Sequence, residues 1–400
     1  MSSFFPTYRV LTVGVLVAAV TALGAPPPDV VDVKVQAGAK GDGVTDDTAA
    51  FRAALATGAR TVVVPPGTYR LGPKPLELPP HTTLRGAGAT TVLKAAAGTT
   101  TLLALKDGCA LADLAFEGRL AKAGEANDPG LVLIRGAKDV RIDRVRFDHV
   151  DRDCVFLDHA ANVTVADCDF TAIGLAINTI FSHRLQITGN RITDARVHGM
   201  EIWGNFDWKN QDTVDVVITG NHVKNGGGGA IWASGGRDLV LANNVIDGAT
   251  DVGLDLEWCE NSVITGNSVR RCKNGGIALF FACRNIAITG NSVVNDYPIS
   301  AAEEKDTWWV RSGIWLTYPA RDQYKEDHGH RDITIVGNSI TCAPGQRRAI
   351  WIGSESKNVV VNANAINGGG VWYGGEHKVN PMILSELPAN VVVPFAGKGK

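Results

Sequence analysis

SVITGN (262–267) ends on Asn267, and near-copies of it recur: LQITGN (185–190), VVITGN (216–221), LVLANN (239–244), IAITGN (286–291), ITIVGN (333–338) and VVVNAN (359–364). The closing asparagines Asn190, Asn221, Asn244, Asn267, Asn291, Asn338 and Asn364 are 31, 23, 23, 24, 47 and 26 residues apart. A self-similar unit with a period near 23 signals a repeat architecture. Apolar and polar residues alternate within each unit, a strand pattern and not a helix pattern. Each unit also holds a second short run: GMEIWG (199–204), AIWAS (230–234), GLDLEW (253–258), GIALFF (276–281), GIWLTY (313–318) and AIWIGS (349–354). One such turn cannot bury its apolar face alone. Stacked on its neighbours at ~4.8 Å it builds a continuous core. The asparagine recurs at one corner, where its amide can bond the coils above and below and where it tolerates left-handed backbone. The pattern predicts an all-β parallel β-helix.

Lys and Arg total 39 against 41 Asp and Glu, a net charge of −2, so nothing suggests a nucleic-acid partner or an acidic disordered tail. Residues 1–25 stand apart. Arg9 precedes VLTVGVLVAAVTALG, too short for a comfortable membrane span, and Ala22-Leu23-Gly24 offers small residues for cleavage. The expectation is a signal peptide and a secreted or periplasmic protein, with no membrane contact after cleavage. Export permits disulfides among the seven cysteines, Cys109, Cys154, Cys168, Cys259, Cys272, Cys283 and Cys342. Cys259 and Cys283, 24 residues apart, can pair across adjacent coils; thiols stacked inside the coil are the alternative. No spacing suggests a metal site.

After APPPDV (25–30), Thr45 or Asp46 can cap a helix running to about Ala56, with Phe51, Ala54 and Leu55 on its apolar face. Such a helix would plug the end of the solenoid. GAKGDGVTDDTAAFRAAL, VVVPPGTYRLG and LPPHTTLRGAG, spanning 35–90, resemble the N-terminal cap of the pectate-lyase-like superfamily. That group includes polygalacturonases, pectate lyases, mannuronan epimerases and phage tailspikes. The resemblance implies a right-handed β-helix and a substrate groove over the strand that precedes the asparagine corner. It does not imply one reaction, because those chemistries share the cap. One domain is expected over 26–400: an N-terminal cap at 31–60, about twelve coils at 61–375 and a C-terminal cap and tail at 376–400. The sequence gives no basis for an oligomer.

Insertions at 204–214, 295–311 and 319–331 flank the second run and never the VxITGN run, as loops walling a binding face would. Alternate residues of a strand face opposite ways. Aligned on inward apolar pairs, from Val155/Leu157 and Leu175/Ile177 through Ile350/Ile352, the outward residues form two columns. One reads Phe156, Ala176, Glu201, Trp232, Asp255, Ala278, Trp315, Trp351. The other reads Asp158, Asn178, Trp203, Ser234, Glu257, Phe280, Thr317, Gly353. Exposed tryptophans beside carboxylates suit a sugar chain, whose apolar faces stack on rings. The duller alternative is that inserted loops cover the rings.

Asp255 and Glu257, two residues apart on one face, are the expected catalytic pair, with Glu201 third. Glu201 lies two coils from Asp255, ~9.6 Å, with Trp232 between. An inverting glycosidase needs carboxyls ~6.5–9.5 Å apart. Repulsion between close carboxylates would raise one pKa and separate an acid from a base. Asp158, Asn178, Trp203, Trp232, Phe280, Trp315 and Trp351 are expected to bind substrate, with His198, Lys209 and Arg311 at the rim. The expected substrate is a polysaccharide, cleaved by hydrolysis without a cofactor. A lyase or epimerase, with calcium possible, ranks second, because the strand face supplies acids and basic candidates stand only at its rim, Arg237 and Arg284 among them. A non-catalytic glycan scaffold ranks third. The polygalacturonase likeness stops at the fold: NTD, a paired DD, and GHG with RIK are absent, and so is an epimerase-like DPH.

Overall fold

A computed structural model describes residues 28–118, 130–204, 213–298, 300, 302, 311–317, 329–345, 347–353, 356–374 and 391–392. The leader, Lys209, most of the three insertions and most of the C-terminal cap lie outside the described residues.

The chain winds into a right-handed parallel β-helix in which every paired strand runs parallel to its neighbour. Among the described residues, three ladders share the coil. The VxITGN strands form one, from Val30–Asp32 to Val391–Val392. The short strands after the asparagine corner form the second, and the runs typified by Val252–Glu257 form the third. The third ladder, which carries the expected catalytic face, holds twelve strands from Leu76–Leu78 to Val371–Tyr373. Inward Val, Ile and Leu side chains make one core along the axis. Phe116, Phe147 and Phe170 stack there one coil apart, with ring centroids 5.0 and 4.8 Å apart.

The asparagine ladder holds the corners in register. Each side-chain Nδ2 donates to the Oδ1 of the next asparagine: Asn190 to Asn221 at 2.9 Å, Asn221 to Asn244 at 3.0 Å, and so on to Asn364. The same oxygen accepts the preceding asparagine's backbone N–H, so every buried amide finds partners. Cys168 occupies the corner before the ladder, and its N–H donates to Asn190 Oδ1 at 3.0 Å. The left-handed backbone belongs to the residue before each asparagine and not to the asparagine itself. Gly189, Gly220, Gly266, Gly290 and Gly337 have φ between 64° and 70°. The amide is thereby free to serve as the rung.

The N-terminal helix spans Thr48–Ala56 and buries Phe51, Ala54 and Leu55, with Phe51 edge-on to Tyr69 at 5.4 Å. Its start differs slightly from expectation. Asp47 is the N-cap, but its carboxylate turns back to the N–H groups of Lys40 and Gly41. Asp46 supplies the bond to the Thr48 N–H instead, at 3.0 Å. All seven cysteines are free thiols, so the proposed Cys259–Cys283 pair is not formed. Cys283 Sγ points to the Leu256 carbonyl at 3.2 Å, inside the coil.

Candidate active site on the third ladder

The register of this ladder sets the face. Asn178, Glu201, Trp232, Asp255, Ala278, Trp315, Trp351 and Trp372 follow one another on consecutive coils. Asp158, Ile180, Trp203, Ser234, Glu257 and Phe280 form the adjacent column. The columns differ from expectation at one coil. Val155 pairs with Ile177 and Leu157 with Thr179, so Asn178 stands beside Glu201 and not beside Trp203. Ala176 drops out of the column. The inward position there is a threonine, fully buried in an aliphatic row, and the apolar pair Leu175/Ile177 misled the alignment. A spacing signal was available: Thr179 precedes Asn190 by 11 residues, as Ala233 precedes Asn244.

Carboxyl groups concentrate on the middle coils. Glu201 and Asp255 are separated by Trp232, as expected, and Glu257 lies two residues from Asp255. Asp153 and Asp251, both missed by the column alignment, join them from the corner that opens each strand. Asp153 accepts from Asn178 Nδ2 at 2.9 Å, and Asp251 from Asn274 Nδ2 at 2.7 Å. Asp153 is the first residue of its strand and Asp251 immediately precedes its own, so only their place at the start of the strand could have marked them.

Burial acts on all five. It pushes Glu257 up to about 7, against hydrogen bonds from Trp232 and Ser234. It pushes Asp153 up to about 6, assisted by the charge of Glu201 and opposed by Asn178. Burial, and then the charges of Glu257 and Asp251, lift Asp255 well above its ordinary value. Asp255 Oδ1 is buried and has no hydrogen-bond partner, as suits a carboxyl that keeps its proton. Glu201 is raised by burial against a bond from Trp203 Nε1 at 3.1 Å, and Asp251 by burial against Asn274.

His198 stands beside the group. Its Nδ1 accepts the Gly229 N–H at 2.6 Å, which leaves the proton on Nε2, 3.6 Å from Glu201 Oε1. Burial holds the pKa of the ring below the ordinary value, and its distance to Glu201 is too long for a hydrogen bond. It lies nearly parallel to Trp232 at 5.9 Å, and Trp232 meets Trp203 edge-on at 4.3 Å. Both indoles are half-buried beside the acids.

Four expectations fail elsewhere on the ladder. Trp315 and Trp351 are 4% and 0% exposed and stack on each other at 5.2 Å, so they form a second small core with Val252 and Ala278 and offer no open ring to a sugar. Arg311 is 4% exposed and lies beside Arg347, within the wall and not at a rim. Asp158 is taken by Arg135 Nε at 2.6 Å and by His159. Burial raises it, but these partners hold it below its ordinary value. Phe280 does adjoin Glu257, half-buried and edge-on to Trp315 at 5.1 Å. Of the basic candidates, Arg237 and Arg284 lie one corner beyond, near Asp238 and Glu260. Among the described residues no three His, Cys, Asp or Glu side chains are arranged to hold a metal ion.

The family model for the right handed beta helix region matches residues 130–318. Among solved structures the chain is similar to the Dettilon tailspike protein, at 17% identity and a TM-score of 0.62, over 86% of this chain and 68% of that one. It is similar to the A-module of an Azotobacter vinelandii mannuronan C-5 epimerase, at 19% identity and 0.61, over 86% and 97%. It is also similar to DFA-IIIase from Arthrobacter chlorophenolicus, at 13% identity and 0.61, over 84% and 94%. No curated protein matches the sequence. These likenesses establish the right-handed β-helix fold.

Proposed function

We propose that the protein is an exported carbohydrate-active enzyme that hydrolyses a glycosidic bond over the third ladder. The observation that carries this reading is a run of carboxyls over five consecutive coils, Asp153, Glu201, Asp251, Asp255 and Glu257, whose pKa values are all raised by burial beside half-exposed tryptophans. Carboxyls whose environments separate their pKa values divide into acids and bases. Glu257, protonated below about 7, is the general acid at the leaving oxygen. Glu201 is the base that takes the proton of the attacking water, with its orientation set by Trp203. Asp255 lies beneath them as a protonated neighbour whose buried carboxyl resists a second negative charge. Glu257 stands two coils from Glu201 and two residues along the strand from Asp255, so acid and base lie on either side of Trp232. Trp203 and Trp232 would stack on the sugar rings. Among the similar structures, the mannuronan C-5 epimerase fits a glycan substrate by the words of its name.

The second reading is elimination or epimerisation on a uronate. Its basic candidates Arg311 and Arg347 pair on adjacent coils but are buried, so this reading ranks second. Purified protein offered a panel of neutral and acidic polysaccharides separates the two. Hydrolysis releases reducing ends without the near-ultraviolet absorbance of an unsaturated sugar, and Asp255→Asn, Glu257→Gln and Glu201→Gln abolish it. Absorbance accompanying the new ends would overturn hydrolysis. Binding with no product of any kind would leave a scaffold.

A further inference from the structure

The first ladder, that of the VxITGN strands, presents an outward surface separate from the candidate site. Its pairing runs from coil to coil without a register shift, so outward side chains line up in two straight columns. One column holds Val217, Val240 and Val263 on its central coils, and the other holds Thr219 and Thr265 with Ala242 between them. From Thr164 to Val360 in the first column, and from Ala166 to Asn362 in the second, no position carries a charge or an aromatic ring. Charged residues stand on the neighbouring second ladder instead, at Arg146, Asp169 and Arg191 among others. The face is not covered: Val217, Val240 and Val263 are half-buried, and Val360 is 38% exposed. One rim is low, because most of its corners are glycine; a Cβ at Gly290 would point into open space. The other rim carries both signs, with Arg237 near Asp238 and Arg284 near Glu260.

We propose that this face is a self-association surface, at which two copies of the chain pack first ladder against first ladder about a twofold axis. Sheets pack face to face at ~10 Å when small side chains interdigitate, and columns of valine, alanine and threonine suit that distance. Seven steps of ~4.8 Å, and strands such as Arg331–Val336 at ~3.3 Å per residue, give a face of ~34 by ~20 Å. Two such faces remove ~1,400 Å² in total, inside the ~1,200–2,000 Å² of specific, stable interfaces. The charge pattern points to a copy of the same chain and against other occupants. A neutral face meets itself without repulsion, and a rim of both signs presents no single-sign field to its mate. Nucleic acid or another anionic polymer needs a basic stripe, and a sugar chain needs rings; this face offers neither. An isologous contact of this kind closes at two copies. It leaves the third ladder of each copy, on another side of the coil, open to solvent. Such a dimer stands whatever chemistry the third ladder performs.

Analytical ultracentrifugation of the purified protein, from nanomolar to high micromolar concentration, tests this. The expected result is a mass twice that of one chain, falling toward one chain on dilution. High salt should leave the dimer intact, because the contact is uncharged and salt screens only charge. Val240→Arg and Val263→Arg each place a cation in the contact and should weaken association about a hundredfold or more. Thr193→Arg, on the second ladder, should leave association unchanged. Both valines face outward, so their variants should keep the wild-type circular dichroism. Should an arginine variant fail to fold, Val263→Gln reads the same surface, with association expected to be about tenfold weaker. A monomer at every concentration, a mass above two chains, or dissociation by salt overturns the proposal on the wild-type protein alone. Association that survives unchanged in the folded Val240 and Val263 variants places the contact elsewhere and overturns it equally.

Discussion

Glu257→Gln should make the protein more stable in alkaline solution while destroying its activity. The folded-state pKa of Glu257 is raised from 4.5 to about 7, with burial the leading cause. A carboxyl raised in this way contributes stability that is complete below about pH 4.5 and lost as pH rises through about 7, because the unfolded chain ionises first. The interval between those values corresponds to about 3 kcal/mol, an upper bound because Asp255 relaxes when its charged neighbour is removed. Glutamine keeps the shape and the Ser234 and Trp232 contacts open to an acceptor oxygen, and it never ionises. The difference in unfolding free energy between variant and wild type should therefore be near zero at about pH 4 and approach about 3 kcal/mol in favour of the variant at about pH 8. Urea denaturation followed by tryptophan fluorescence across that range measures it. A difference that stays flat with pH, or that favours wild type as pH rises, would refute the claim that burial penalises the Glu257 charge.

The same titration should appear in catalysis: with hydrolysis as the assay, the rate falls on the alkaline side near pH 7 as Glu257 loses its proton, and this limb disappears in any residual activity of Glu257→Gln. Asn267→Ala removes two accepted bonds from Asn244 and donated bonds to Asn291 Oδ1 and the Leu241 carbonyl. It should cost on the order of 3–5 kcal/mol, seen as a lower melting temperature, with Asn267→Asp less harmful if the acceptor role dominates. Trp351→Ala, which empties a fully buried site against Trp315, should cost about 3–5 kcal/mol and leave glycan affinity unchanged; an affinity loss without a stability loss would return Trp351 to the binding face. A thiol reagent should find the cysteines other than half-buried Cys342 silent in the native protein and all seven reactive after denaturation, with no mobility difference between reduced and non-reduced gels.

The order of residues along the chain was sufficient for the fold. Seven spaced asparagines and the alternation before each define a coil whose rungs repeat at one corner, and the backbone requirement of that corner is visible in the glycine before five of them. Pairing Glu201, Trp232, Asp255 and Glu257 on one face was also legible, because period-two geometry and a constant coil length suffice to place them. Two things were decided only by the tertiary structure, and a third, the place of Asn178, was marked in the sequence only by the 11-residue spacing from Thr179 to Asn190. Asn178 moved one column because burial is a property of the neighbouring coils, and a threonine can fill an inward position that sequence hydrophobicity assigns to an aliphatic residue. Trp315 and Trp351 left the binding face because two outward rings on adjacent coils stack and seal each other from solvent. Asp153 and Asp251 entered the acid group because they stand at the start of their strands, where side chains are aimed by local backbone geometry. Their pKa values follow from that packing: the same carboxyl is ordinary on a solvated strand and strongly raised where adjoining coils take its water away.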